Sequence, residues 1–112
     1  MGRRRVKDRL INGIGVDMGS AYTRIGAPGR RQLLCAPTLA AVELSSGQPA
    51  AAGEQASELL SYAPERYRGV WPVRNGRVED AETAAFVLRE LLRRARGERR
   101  AGVRTAVLVT PC

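Results

Sequence analysis

The sequence predicts an α/β fold built on a mixed sheet, and three observations carry that expectation. Short apolar runs, each closed by turn residues, fill the first half of the chain. A long helical period occupies 81–96. A continuous apolar run, TAVLVT, follows at 105–110. Such a run suits a strand covered on both faces, as in a parallel sheet. The long helix supplies the crossover that makes this last strand parallel to the first. The early strands, joined by short turns, read instead as an antiparallel meander.

Residues 1–12 form a basic arm with Arg3, Arg4, Arg5, Lys7 and Arg9. Val6 and Leu10 share a face there, but the arm is too short to hold as an isolated helix. Residues 13–16 read as a buried strand and 21–26 as its hairpin partner, with Met18, Gly19 and Ser20 at the turn. Ala27-Pro28-Gly29 makes a second turn, and 32–35 a third strand. Pro37 punctuates before a fourth strand over 38–44. The turn SSGQP leads to a short return at 50–52.

Then the period changes. Ala56, Leu59, Leu60 and Ala63 mark a helix over 54–63, ended by Pro64. Residues 70–73 form an extended piece in which Trp71 caps the core or a hinge, with a partner hot spot as the alternative, and Asn75-Gly76 is a turn. Asp80 or Glu79 caps the helix 81–96, whose apolar face carries Ala84, Ala85, Leu88, Leu91, Leu92 and Ala95. Glu79, Asp80 and Glu82 resemble an acid pair, but a negatively charged helix N-terminus explains them better. Arg89, Arg93, Arg96 and Glu90 take the other side, and Gly97 stops the helix.

A chain of 112 residues, 44% hydrophobic, is enough for one modest domain. No apolar run approaches the ~18 residues of a membrane span, and the start lacks a signal peptide's apolar region. A cytoplasmic location is therefore expected. There is no histidine, and Cys35 and Cys112 form no CxxC pair. The sequence thus argues against a zinc site or a Cys-His pair, and both cysteines read as free thiols. Net charge is +8, and all 19 basic residues except Lys7 are arginine. With many Ala and Gly, that bias reflects a GC-rich genome and weakens the charge as evidence for nucleic acid. The clusters at 3–9 and 89–104 read as a solvated basic surface, or as a contact for anionic membrane, RNA or an acidic protein.

One stretch carries chemistry: IGVDMGSAYTRIGAPG, 14–29. A turn of small residues exposes backbone N–H groups, and Ser20 and Thr23 bring hydroxyls, which together make an anion cradle. Gly19 lets a ligand approach the backbone. Asp17 repels phosphate unless a cation lies between them, which a hydrated magnesium ion would satisfy. The pattern reads as a magnesium-nucleotide hairpin, although no Walker loop is present. A plain hairpin, with Asp17 bonding the turn amides, stays open as the alternative.

The phrase IGVDMGSAYTRIG resembles the first phosphate motif of the actin, sugar-kinase and Hsp70 superfamily. LLCAPTLAAVELSSGQPAAAGEQASELL resembles the "nEPSvvA" strand and "vG-eAk-mL" helix of the MreB family of bacterial actins. WPVRNGRVEDAE resembles that family's "rPlkdGvIaDf", and TAVLVTPC its "v-igvPsg" strand. The blocks keep their order over 13–112. The chain is thereby similar to the MreB/Mbl rod-shape-determining family.

The resemblance implies a partial actin-like (ribonuclease H-like) domain over 13–112, an incomplete subdomain IA with a small IB-like insertion near 38–70. It implies an ATP- and Mg2+-dependent filament protein that guides cell-wall synthesis under the membrane. Carried over by position, Asp17 lies near the magnesium and its waters. Gly19, Ser20, Ala21 and Tyr22 wrap the phosphates, and Thr23 closes the turn. Asparagine is usual in the family where this chain has Tyr22. The usual apolar membrane loop is here ARGERRAGVR, suited only to anionic headgroups. The family's catalytic glutamate, second phosphate loop and adenosine pocket would lie past Cys112. No residue is therefore assigned as catalytic, and the chain by itself is expected to bind nucleotide weakly, or only when completed by another chain, and not to hydrolyse ATP. Partners would be full-length MreB/Mbl filaments, cell-wall morphogenesis proteins or an anionic membrane surface. The competing reading is a basic module for anionic membrane or RNA. Only 4% aromatics and no RNP-like motif weigh against nucleic acid.

Overall fold

Alternation along the first strand decides which side of the molecule is inside. The computed structural model describes residues 13–27 and 32–96, together with the backbone of 104–109. β1 (Gly13–Met18) turns Ile14, Val16 and Met18 inward and leaves Gly15 and Asp17 on the opposite face. β2 (Tyr22–Gly26) buries Thr23 and Ile25 and exposes Tyr22 and Arg24. β3 (Gln32–Pro37) follows the same rule, with Ala36 buried and Leu33 and Cys35 exposed.

The chain continues through β4 (Ala40–Glu43), β5 (Pro49–Ala52), α1 (Glu54–Tyr62) and β6 (Tyr67–Val70). A small hairpin of β7 (Val73–Arg74) and β8 (Arg77–Val78) leads into α2 (Ala81–Arg96), and β9 (Arg104–Val109) follows. The first sheet has the order β3-β2-β1-β9. β9 runs parallel to β1, with Val16 opposite Val107, as the helical crossover predicts. A second sheet has the order β5-β4-β6 and is antiparallel.

The principal core lies between the inner face of the first sheet and α2. Ile14, Val16, Met18 and Ile25 meet Ala84, Val87 and Leu91 there. Each large aliphatic side chain contributes about 1.5–3 kcal/mol on burial. That outweighs an exposed ion pair, worth about 1 kcal/mol or less. The second sheet joins this core through Ala40, Val42 and Ala52. Its other face packs Ala41 and Ala51 against Ala56 of α1, with Leu39, Leu59, Leu60 and Tyr67 around them. Small residues on both faces let a helix approach from each side.

Several expectations change. The meander stops at β3: the chain crosses to the second sheet at Thr38 and Leu39, so β4 pairs with β5 and β6 instead of β3. β6 is a strand that the sequence reading did not assign, apart from Val70 in the extended piece. β1 runs to Met18, so the turn begins at Gly19; Met18 is packed in the core, 2% exposed. Trp71 is half-exposed and Pro72 beside it is buried, so proline, not tryptophan, closes the core there. Asn75 and Gly76 both have positive φ, 53° and 74°, matching the predicted turn in the form that suits a two-residue hairpin. Cys35 is exposed and free. The basic arm at 1–12, Gly97, Cys112 and most of the Arg-rich loop lie outside the described residues. Among the described residues no helix is long and apolar enough to cross a membrane.

Candidate functional site

The candidate site is the turn between β1 and β2. Its shape follows from local bonding. The Gly19 N–H donates to the Tyr22 carbonyl at 2.9 Å and closes the turn. The Thr38 N–H donates to the Ala21 carbonyl at 2.9 Å and anchors the turn from the junction between the two sheets. Thr23 and Thr38 share a hydroxyl hydrogen bond of 2.7 Å, and both are fully buried. Three contacts therefore hold the backbone of 19–23 before any ligand arrives.

These bonds sort the predicted site residues by face. Gly19, Ser20 and Ala21 form the turn. Tyr22 stands at its exit, 55% exposed. Thr23 faces the core, because alternation along β2 places it beside Ile25. Its hydroxyl is engaged with Thr38, so it enters the site by fixing the turn and does not present a donor on the open side. Asp17 and Tyr22 lie on the open face, with Asp17 half-exposed.

The residue that sequence reasoning missed is Arg24. The hairpin register sets it directly opposite Asp17. Its Nη1 lies 4.0 Å from the Asp17 Oδ2. The register follows from the length of the connection, since four residues, 19–22, separate paired Met18 and Thr23 and so set Asp17 against Arg24.

The donor set can be tested against magnesium. Asp17 is the only carboxylate in β1, β2, β3 or the turn. Among the described residues no group of three His, Cys, Asp or Glu comes together. Magnesium demands six oxygens and is commonly held by one or two carboxylates with water and phosphate. A single half-exposed carboxylate thus fits an ion that arrives with phosphates, held through water. It does not make a metal site by itself.

A cavity of about 500 Å3 lies elsewhere, between the β4–β5 turn, β6 and the start of α2. Arg68 and Arg89 face Asp80 and Glu82 there, so its charge favours no one class of ligand. Asp80 is already occupied as the helix cap: its carboxylate accepts from the Thr83 N–H at 3.0 Å and the Thr83 hydroxyl at 2.8 Å. Those bonds hold its carboxyl below the usual range. The hairpin is the better candidate, because its backbone is shaped and its face is open.

The comparisons agree with this fold. The cell shape-determining protein Mbl of Bacillus subtilis (strain 168) is 28% identical over 79 residues, which covers 70% of this chain and 24% of Mbl. The chain therefore spans about a quarter of that relative's length. The crystal structure of MreB5 of Spiroplasma citri bound to ADP superposes with a TM-score of 0.66 at 21% identity, covering 85% of this chain and 28% of that one. The MamK double helical filament gives 0.63 at 17% identity, covering 85% and 30%. At those identities the structures establish the fold alone: the chain has part of an actin-like domain. The model of the MreB/Mbl protein family matches residues 11–112, and this chain belongs to that family.

Proposed function

We propose that this chain is the first nucleotide-binding portion of an actin-like, cell-shape-determining ATPase. Gly19, Ser20, Ala21 and Tyr22 wrap the phosphates, and Thr23 fixes their backbone from the core side. Asp17 holds a magnesium ion of the nucleotide through a water. The bound group is ATP or ADP, in keeping with the ADP of the Spiroplasma neighbour. The observation that carries this reading is the position of the turn. It sits at the carboxyl end of β1, next to parallel β9, where open α/β sheets bind ligands.

The 13–112 segment serves as an incomplete subdomain IA, and the second sheet as a small IB-like insertion near 38–70. Groups that order the attacking water belong, by the family resemblance, to sequence beyond these blocks. The 112 residues alone accordingly bind nucleotide without turning it over. Their partners are MreB/Mbl-type filaments or cell-wall morphogenesis proteins, as the filament of the MamK neighbour supports. The site of action is the cytoplasm, with the Arg-rich segments against an anionic membrane surface.

Calorimetric titration of the purified chain with ATP and Mg2+, beside a phosphate-release assay, tests this reading. Saturable binding without turnover is expected, and Ser20→Glu is expected to abolish it by placing a like charge in the turn. Robust hydrolysis would show that the catalytic groups are wrongly assigned. Undetectable binding would remove the cradle itself.

A further inference from the structure

The hairpin as drawn from sequence has a conflict: a carboxylate beside a phosphate cradle needs a cation. The structure offers one within the chain. Arg24 sits opposite Asp17 in register and on the same open face. It stands two residues along β2 from Tyr22, about 6–7 Å by ordinary strand rise. The side chain is 61% exposed, and its contact with Asp17 is a long 4.0 Å.

An exposed pair at that distance adds little to stability. Nor does the pair exhaust the guanidinium, which carries five N–H donors in a planar fork. Its partner on β3 is Cys35, a neutral thiol, and no second carboxylate stands on the three neighbouring strands. Among the described residues the fork therefore has no other carboxylate partner on the face where a phosphate would lie. Its planar, two-donor geometry matches phosphate oxygens and is stronger than a neutral bond.

We propose that Arg24 is a phosphate-binding cation of this hairpin and lets the chain hold a nucleoside di- or triphosphate without a divalent metal. The inference rests on the nucleotide reading given above and adds to it a specific residue and a metal-independent mode. With the phosphate present, the guanidinium answers its charge and that of Asp17 together. Magnesium then strengthens binding and is not required for it.

The test is ATP affinity of the purified chain, measured by calorimetry in excess Mg2+ and again in EDTA, for wild type, Arg24→Leu and Arg24→Lys. Wild type is expected to lose less than about threefold in EDTA. Arg24→Leu is expected to lose about tenfold in Mg2+, the worth of one charge-assisted bond, and to fall below detection in EDTA. Arg24→Lys keeps the charge without the fork and should lie between them. Circular dichroism and thermal melting of all three should coincide, since the side chain is exposed. Wild-type binding that survives in Mg2+ but vanishes in EDTA overturns the inference alone. Arg24→Leu binding as tightly as wild type in EDTA does the same. Absence of wild-type binding in both conditions overturns the nucleotide reading and this inference with it.

Discussion

Thr23 and Thr38 are joined by a single buried hydrogen bond, Oγ1 to Oγ1 at 2.7 Å, across a separation of 15 residues. One belongs to the hairpin beneath the candidate cradle. The other lies where the chain leaves the first sheet for the second. A hydroxyl left alone in that place costs about 1–3 kcal/mol, whereas removing both partners costs much less. Thr23→Val and Thr38→Val should therefore each destabilise by that amount, and the double variant by clearly less than their sum. Urea unfolding of the four proteins measures the coupling. Additive losses would mean that the two hydroxyls do not depend on each other.

Asp80 gives a pH dependence. Its carboxylate is held low by the Thr83 N–H and hydroxyl, with Arg68 adding to the effect. A depressed native pKa means stability that is present above the unfolded value, about 3.9, and is lost as pH falls through the native one. Asp80→Ala should cost about 1 kcal/mol at neutral pH, as for other lost helix caps. The gap to wild type should narrow as pH drops below about 4. Thermal melts across that range report it, and a constant gap would assign the loss to packing.

Tyr22 bears on the ligand. The residue is 55% exposed at the exit of the turn, on the same face as Asp17 and Arg24. Asparagine there keeps a polar group and removes the ring. Tyr22→Asn should tighten ATP binding by about two- to fivefold, less than 1 kcal/mol, with an unchanged melting temperature. Weaker binding would show that the phenol contacts the nucleotide.

Legibility followed the physics of each segment. α2 was readable to both ends, because a wide apolar stripe and the Asp80 cap mark it. Val87 nevertheless took a central place that the predicted face omitted. The pairing of β1 with β2 and β9 was readable from apolar runs and crossover length. The second sheet was not: AAVE and PAAA alternate between similar small residues, so sequence does not say which face each takes. β6 was hidden by exposed Arg68 and Gly69. In the site, the turn residues stood out by composition, but their faces depended on register. A turn of Met18, Gly19 and Ser20 would set Asp17 opposite Ala21. Packing of Met18 into the core starts the connection at Gly19, and the four residues 19–22 between paired Met18 and Thr23 set Asp17 opposite Arg24. Threonine is ambiguous for the same reason, since its hydroxyl suits a ligand and its branched carbon suits a strand.

Gly53 tests how the two layers meet. It lies between β5 and α1 with φ of 67°, where α2 passes close by. A Cβ there would stand 3.0 Å from Leu91 Cδ2, 3.2 Å from Arg94 Nη1 and 3.3 Å from Ala36 Cβ. Arg94 has little freedom to yield, since its Nη2 donates to the Ala52 carbonyl at 3.0 Å and to Gln55 at 2.8 Å. Leu91 is fully buried and has none. With ψ of -135° its backbone is in a region open almost only to glycine, so Gly53→Ala should cost about 1–3 kcal/mol in backbone strain and a further 1–3 kcal/mol, roughly, for overpacking. Gly47 supplies the control: its φ is 73°, but nothing lies within 4 Å of its added Cβ. Gly47→Ala should cost only the backbone share. Equal losses from the two variants, in matched denaturant melts, would mean that α2 and the β5–α1 corner are not packed as closely as these distances require.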